Sequence, residues 1–388
     1  MGSLRYLTAG ESHGPALTVI VEGLPAGLSV EADDIGSELA RRRQGYGRGA
    51  RMSLEADELE ILGGIRHGRT LGSPVSLVIR NTEWESKWSE AMSPAPVQGT
   101  PKPLTRPRPG HADLVGMLKY GHRDARNVLE RASARETAAR TVAGTLARLL
   151  LGEIGVGIVS HVVAIGDVRV TDGDIPSPAD AGRIDASPVR CLDAGAAARM
   201  IDAIEKAKAN KDTLGGIFEV VAHDVPPGLG SYVHWDRKID GRLAQALLSI
   251  NAMKAVAIGD GFEAASLPGS AAHDEIFWTE DEGYHRATNR AGGVEGGVTT
   301  GDPLRVRVAM KPLSTLTKPL RTVDVETKEE AVAIVERTDT CAVPSACVIG
   351  EAVVAWVLAD AALEKFGSDS VGELVATHAA WLETLKKA

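Results

Sequence analysis

Aromatic side chains make up only 4% of this 388-residue sequence, too few for the stacking platforms on which single-stranded nucleic acids are held. Positive charge is also in deficit: 43 Lys and Arg stand against 52 Asp and Glu, a formal net charge of -9. Such a chain repels a polyanion overall, so a nucleic-acid binder is disfavoured. Cysteine is scarce as well. Cys191, Cys341 and Cys347 are an odd number without a C-x-x-C pair, which argues against a disulfide framework or a thiolate zinc site, and no metal is expected. Apolar runs are short, because Glu22 interrupts 17–28 and Asp360 ends 352–359, well below the roughly 18 residues of a membrane helix. The first residues, Met1-Gly2-Ser3-Leu4-Arg5-Tyr6, enter strand-like sequence without a basic and then apolar leader, and Tyr6 breaks a myristoylation pattern. The expectation is a cytoplasmic protein with reduced, mostly buried thiols and no membrane partner.

What remains has globular proportions, 44% hydrophobic and 24% charged. Glycine is abundant at 42 residues, much of it in short clusters that predict loops of unusual backbone geometry. No charge run or Ser/Gly linker divides the chain, so residues 1–388 read as one domain. The Pro-broken segment 172–187 reads as an exposed loop and the proline-rich segment 84–110 as a long one. Strand signals fall at 17–21, 75–79, 158–165, 217–222 and 304–310, the last alternating and therefore expected to be half-buried. Helical periodicity links Ile35 with Leu39, Val128 through Leu149, Leu243 through Ile250, and the apolar run from Pro344 to Phe366, which predicts a core helix. Strands and helices intersperse without a βαβ rhythm, so an α+β sandwich of helices and mostly antiparallel sheets is expected.

Polar clusters punctuate this pattern. Gly10-Glu11-Ser12-His13-Gly14 sits between two strand-like segments; His13 is either a turn histidine or a general acid or base. Arg41, Arg42, Arg43, Arg48 and Arg51 fall within eleven residues, with no acid between Glu38 and Glu55. In an acidic protein that is a local anion site, since guanidinium forks and glycine-freed N–H groups suit carboxylate and phosphate. A helix C-terminus could explain Arg41 or Arg43, but it explains Arg48 and Arg51 poorly. Arg106-Pro107-Arg108-Pro109-Gly110-His111 is stiffened by its prolines, which suits either a site or a surface loop. Arg131, Ser133 and Arg135 open an alanine-rich helix. Asn251-Ala252, the glycines around Gly296, and Lys311-Pro312-Leu313-Ser314-Thr315 match no Rossmann or P-loop pattern, though their N–H groups, Lys311 and the hydroxyls could hold phosphate. Arg337-Thr338-Asp339 reads as the end of a helix, with Asp339 either a capping carboxylate or a proton acceptor beside Arg337.

Taken together, GESHG, RRRQGYGRGARM, RPGHAD, RASARETA and NRAGGVEGG, in that order, resemble the chorismate synthase family over essentially the whole chain. The resemblance implies a β-α-β sandwich with helices between antiparallel sheets, assembled as a homotetramer. It implies conversion of 5-enolpyruvylshikimate 3-phosphate to chorismate and phosphate, the last step of the shikimate pathway, by a 1,4-anti elimination. The resemblance also implies a requirement for reduced FMN without net redox change. By similarity, His13 protonates or stabilises the reduced flavin, His111 protonates the departing phosphate, and Asp339 relays a proton from the flavin. Ser12, Arg42, Arg48, Arg51, Arg108, Arg135 and Arg337 are implied in substrate binding. For FMN the family pattern carries over to Arg131, Ala132, Ser133, Asn251, Ala252, Gly296, Lys311, Pro312, Leu313, Ser314, Thr315 and Arg337. Arg42 and Arg48 are also associated with NADP in this family. The chain has no extra domain for flavin reduction, so an external flavin reductase or reductant is expected. Segments 84–103 and 172–187 match the family least well. A flavin reductase or flavodoxin-like carrier would account for an FMN site but not for two histidines and an arginine loop, and phosphate release separates the two.

Overall fold

Alternating apolar residues pair into two antiparallel sheets that enclose a layer of helices. The structure, a computed structural model, describes residues 4–48, 57–96, 102–171, 175–335, 338–367 and 369–387. Strands β1 (Arg5–Ala9), β2 (Ala16–Glu22), β3 (Asp57–Gly63) and β4 (Val75–Asn81) form the first sheet in spatial order β1-β2-β4-β3. Leu17, Val19 and Val21 lie opposite Ile79, Leu77 and Val75. All six are buried on one face, as the period of two in a strand requires. Strands β5 (Gly157–Ile165), β6 (Val168–Arg169), β7 (Gly216–His223), β8 (Met253–Ile258) and β9 (Leu304–Met310) form the second sheet in the order β8-β9-β7-β5-β6.

The main helices are α1 (Ala32–Arg43), α2 (Asp113–Tyr120), α3 (Thr137–Gly152), α4 (Ala194–Ala209), α5 (Ile239–Leu248), α6 (Val343–Phe366) and α7 (Val371–Leu385). Helix α3 packs on β1 and β2, α6 packs on β5 and β7, and the two helices pack on each other, which completes the expected sandwich. Their approach depends on Gly144, where a Cβ would lie 2.4 Å from the Ala352 carbonyl oxygen. Helix α6 is long and apolar enough to cross a membrane by composition, contrary to the short runs expected, because Glu351 and Asp360 only punctuate it. Here 94% of that stretch is buried inside the fold, so it serves as the core helix.

The buried Glu351 of α6 accepts hydrogen bonds from Arg41 at 2.8 Å, Arg148 at 3.1 Å, Arg190 at 3.2 Å and Ser160 at 2.6 Å. Burial alone would raise its pKa, but the arginines reverse the sign and hold it at about 2. Arg41 is therefore committed to the core.

Four local expectations change. β9 is not half-buried: it is a central strand, and its outward Arg305 and Arg307 turn onto Glu219 of β7 at 3.2 and 3.0 Å. The helix expected from Val128 onward begins at Thr137, after the short turns Arg126–Leu129 and Ala134–Glu136. Before Asp339 the described residues form a hairpin, Arg321–Val323 with Glu330–Val332, where the last part of a helix was expected, and Arg337 lies outside them. The 84–110 segment holds a five-residue π-helical turn, Trp84–Trp88. The three cysteines are buried and free, as expected.

Candidate active site

The turn joining β1 to β2 carries Ser12 and His13 against the turns that precede α3. The Ser12 N–H donates to the Glu130 carbonyl at 2.9 Å, and the Ser133 hydroxyl donates to the Ser12 hydroxyl at 3.2 Å. The imidazole of His13 meets the Glu130 carboxylate through Nδ1 at 2.7 Å, and the His13 backbone N–H reaches the same oxygen at 3.2 Å. Arg126 donates to the other oxygen of Glu130 at 2.8 Å. The Trp88 ring stacks on His13, with centroids 3.8 Å apart and planes 23° from parallel. His13 Nε2 is buried and has no hydrogen-bond partner among the described residues. Arg131 reaches back to the Thr8 and Gly10 carbonyls at 3.0 and 2.9 Å, which ties the same turn to the end of β1.

The second histidine sits in a loop closed by the first residue of α2. Asp113, fully buried, accepts from the Arg108 backbone N–H at 3.0 Å, from Arg108 Nε at 2.9 Å and Nη2 at 3.1 Å, and faces His111 Nδ1 at 2.5 Å. Burial alone would raise the Asp113 pKa, but the His111 and Arg108 contacts hold it well below the usual carboxylate range. Arg108 also donates to the Thr315 hydroxyl at 2.9 Å, and Lys311 donates to the Gly110 carbonyl. Desolvation and then the nearby Lys254 lower the Lys311 pKa.

Hydrogen bonds join these two halves. The Asn251 amide donates to the Ala132 carbonyl at 2.9 Å, and the Lys311 N–H donates to the Ala252 carbonyl at 3.0 Å. Ala252 holds φ at 69°, a left-handed conformation that a Cβ-bearing residue rarely adopts. Thr213 donates to the Leu313 carbonyl at 2.8 Å, next to the Leu214 N–H that donates to Thr340 at 2.8 Å. Beside it, Arg48 pairs with Asp339 at 3.1 Å.

The arginine loop contributes through a buried carboxylate. Asp57, at the start of β3, pairs with Arg135 and lies 3.7 Å from both Arg42 and Arg43. Gly296 stands apart: it occupies the turn between Val294–Glu295 and Val298–Thr299, near Tyr232, and makes no hydrogen bond to the other expected cofactor residues among those described. Arg51 and Arg337 lie outside the described residues.

Four contributors escaped the sequence reading. Asp113 stood inside the RPGHAD motif and Glu130 directly preceded RASARETA, so adjacency to a motif was the available signal. Asp57 sits in the alternating stretch DELEILG, where it reads as a solvent-facing strand residue. Trp88 carried no signal at all. Among the described residues no group of His, Cys, Asp and Glu could hold a metal.

Comparison with known proteins identifies the family. A family model described as chorismate synthase matches residues 4–363. Chorismate synthases of Salinispora tropica and Frankia casuarinae are 59% and 60% identical to this chain over 390 and 392 residues, covering 98% of it and 99% of each relative. A crystal structure of a chorismate synthase, 42% identical, superimposes with a TM-score of 0.80 over 99% of both chains. Matches of that length leave no part of the sandwich or of the loops around His13 and His111 unaccounted for, and the chain belongs to the chorismate synthase family of lyases.

Proposed function

We propose that this enzyme converts 5-enolpyruvylshikimate 3-phosphate to chorismate and inorganic phosphate by 1,4-anti elimination, with reduced FMN as cofactor. The C–O bond to phosphate breaks, one ring C–H bond breaks, and a new ring double bond forms, so no electrons are gained or lost overall. The observation that carries the reading is the pair of histidines, each with Nδ1 on a buried carboxylate. The loops that hold them are joined by hydrogen bonds.

The residues present fit a phosphorylated flavin. His13 Nε2 is a buried polar atom awaiting a partner among the described residues. Lys311, Ser314 and Thr315 supply an ammonium and hydroxyls for a phosphate, while 131–133 and 251–252 form a joined backbone rim. Arg337 and Gly296 complete the proposed set. Bound there in reduced form, FMN would supply electron density that eases departure of an allylic phosphate in a substrate whose lost hydrogen sits on a carbon with no neighbouring carbonyl to acidify it.

The protein's part is placement and proton control. Asp113 accepts from Nδ1 of His111, which leaves Nε2 to deliver a proton to the leaving phosphate. Asp339, with Arg48 beside it, would relay a proton from the flavin. Arg42, Arg48, Arg51, Arg108, Arg135, Arg337 and Ser12 bind a substrate with one phosphate and two carboxylates, in a cavity where each contact is stronger than in bulk water. Arg42 and Arg48 are also the positions that would meet NADP. Reducing equivalents come from an external reductase; steady turnover in air with NADPH and FMN alone would overturn that. The enzyme works as a cytoplasmic homotetramer.

The test is phosphate release and chorismate absorbance under anaerobic conditions with chemically reduced FMN, wild type against His111→Ala. Activity should collapse in the variant. A wild type that binds FMN yet releases no phosphate would refute the reaction.

A further inference from the structure

The structure assigns Glu130 as the positioning residue of His13: its carboxylate takes the Nδ1 hydrogen and the backbone N–H of His13, leaving Nε2 as the atom presented to the bound ligands. This inference rests on the role given to His13 above. An ionised carboxylate only accepts hydrogen bonds, so the ring hydrogen facing Glu130 lies on Nδ1, and Nε2 is the ring nitrogen left for a ligand. One oxygen of Glu130 holds both the ring at 2.7 Å and the main chain at 3.2 Å, which fixes the side chain relative to its own backbone.

Three further contacts restrain the pair. Arg126 takes the second Glu130 oxygen at 2.8 Å, the Glu130 carbonyl accepts from Ser12 at 2.9 Å, and Trp88 covers one ring face at 3.8 Å between centroids. A histidine kept only for packing would have both nitrogens satisfied. Here the clamp is complete on the Nδ1 side, while Nε2 is buried and unpartnered among the described residues. Glu130 itself is 2% exposed, so it acts through His13.

A double-mutant cycle on the full-length enzyme tests the assignment, with His13→Ala, Glu130→Ala and the double variant assayed for kcat and KM with chemically reduced FMN. Glu130→Ala should lower kcat about 100-fold and change KM for the shikimate substrate less than about 3-fold, as expected when an interaction acts mainly on the chemical step. In the His13→Ala background the same substitution should change kcat less than about 2-fold. Losses that multiply, or a Glu130→Ala enzyme with wild-type kcat, overturn the proposal. If His13→Ala alone turns over normally, the role of His13 has failed, and a Glu130 effect would then be independent of it, which also overturns the assignment. Should Glu130→Ala not fold, Glu130→Gln keeps the volume but offers one carbonyl oxygen to three donors, Arg126, Nδ1–H and the His13 backbone N–H. It should reproduce the kcat loss and the non-additivity.

Discussion

Replacing Asp113 with asparagine should damage both catalysis and stability. Asp113 is fully buried and its two oxygens receive four donors, three from Arg108 and one from His111. Asparagine retains one oxygen and turns an NH2 group towards the other donors, so at least one side of this fork loses its acceptor. Breaking a buried ion pair from one side costs about 3–5 kcal/mol, much of it the stranded Arg108 charge. The reaction should suffer separately. If the amide NH2 faces Nδ1, the neutral ring carries its hydrogen on Nε2 and proton delivery weakens, a loss of about 10²–10⁴ in kcat for a displaced general acid. Phosphate release with reduced FMN reads the catalytic effect, and urea unfolding reads the stability. The carboxyl is held below the usual range in the fold, so its stabilisation is present above about pH 4 and is lost only on stronger acidification. An Asp113→Asn enzyme with wild-type kcat would refute the role given to His111.

Other parts of the fold give further expected outcomes. Gly144→Ala places a methyl 2.4 Å from the Ala352 carbonyl oxygen and should destabilise by about 3 kcal/mol, read as a lower urea midpoint. Glu351, held at about 2 in the fold against an ordinary value of 4.5, contributes stability that is present above about pH 4.5 and lost as pH falls towards 2. Glu351→Gln should therefore be less stable by about 3–5 kcal/mol at neutral pH and lack that acid-side loss. Lys311 has a lowered pKa, so FMN affinity measured by fluorescence titration should fall at a lower alkaline pH than an ordinary lysine would give, and Lys311→Ala should abolish that dependence. Trp88→Phe should keep most of the turnover that Trp88→Ala loses, because a ring can still stack on His13.

The sandwich was legible wherever one periodicity dominated. β2, β4, β5 and β7 follow their apolar residues closely, and α6 follows the run from Pro344. β9 was misjudged because alternation shows which residues share a face, not whether another charge waits there: Arg305 and Arg307 meet the buried Glu219. The residues before α3 share its periodicity, yet the chain makes separate turns so that Glu130 and Arg131 can reach the β1–β2 connection. The motif residues were legible as clusters, but their partners were not. Asp57 and Trp88 come from unremarkable stretches and Glu130 from the edge of a motif, and Glu130 and Trp88 meet His13, as Asp57 meets Arg135, only across long chain separations, which no local pattern encodes.

Those partners divide the described cations of the proposed site into two kinds. Arg42, Arg48, Arg108 and Arg135 each touch a carboxylate, namely Asp57, Asp339, Asp113 and again Asp57. Arg131 and Lys311 instead donate to uncharged oxygens, those of Thr8, Gly10 and Gly110. A carboxylate contact fixes a guanidinium in place before the ligand arrives, at the expense of part of its attraction for an anion. A carbonyl contact fixes the cation and leaves its charge intact. The first arrangement suits a substrate whose phosphate must depart as product, because pre-paired arginines orient without holding too tightly. The second suits the phosphate of the proposed cofactor, which must stay through each turnover. An acidic protein can thus gather cations whose strongest attraction falls where a ligand is to be retained.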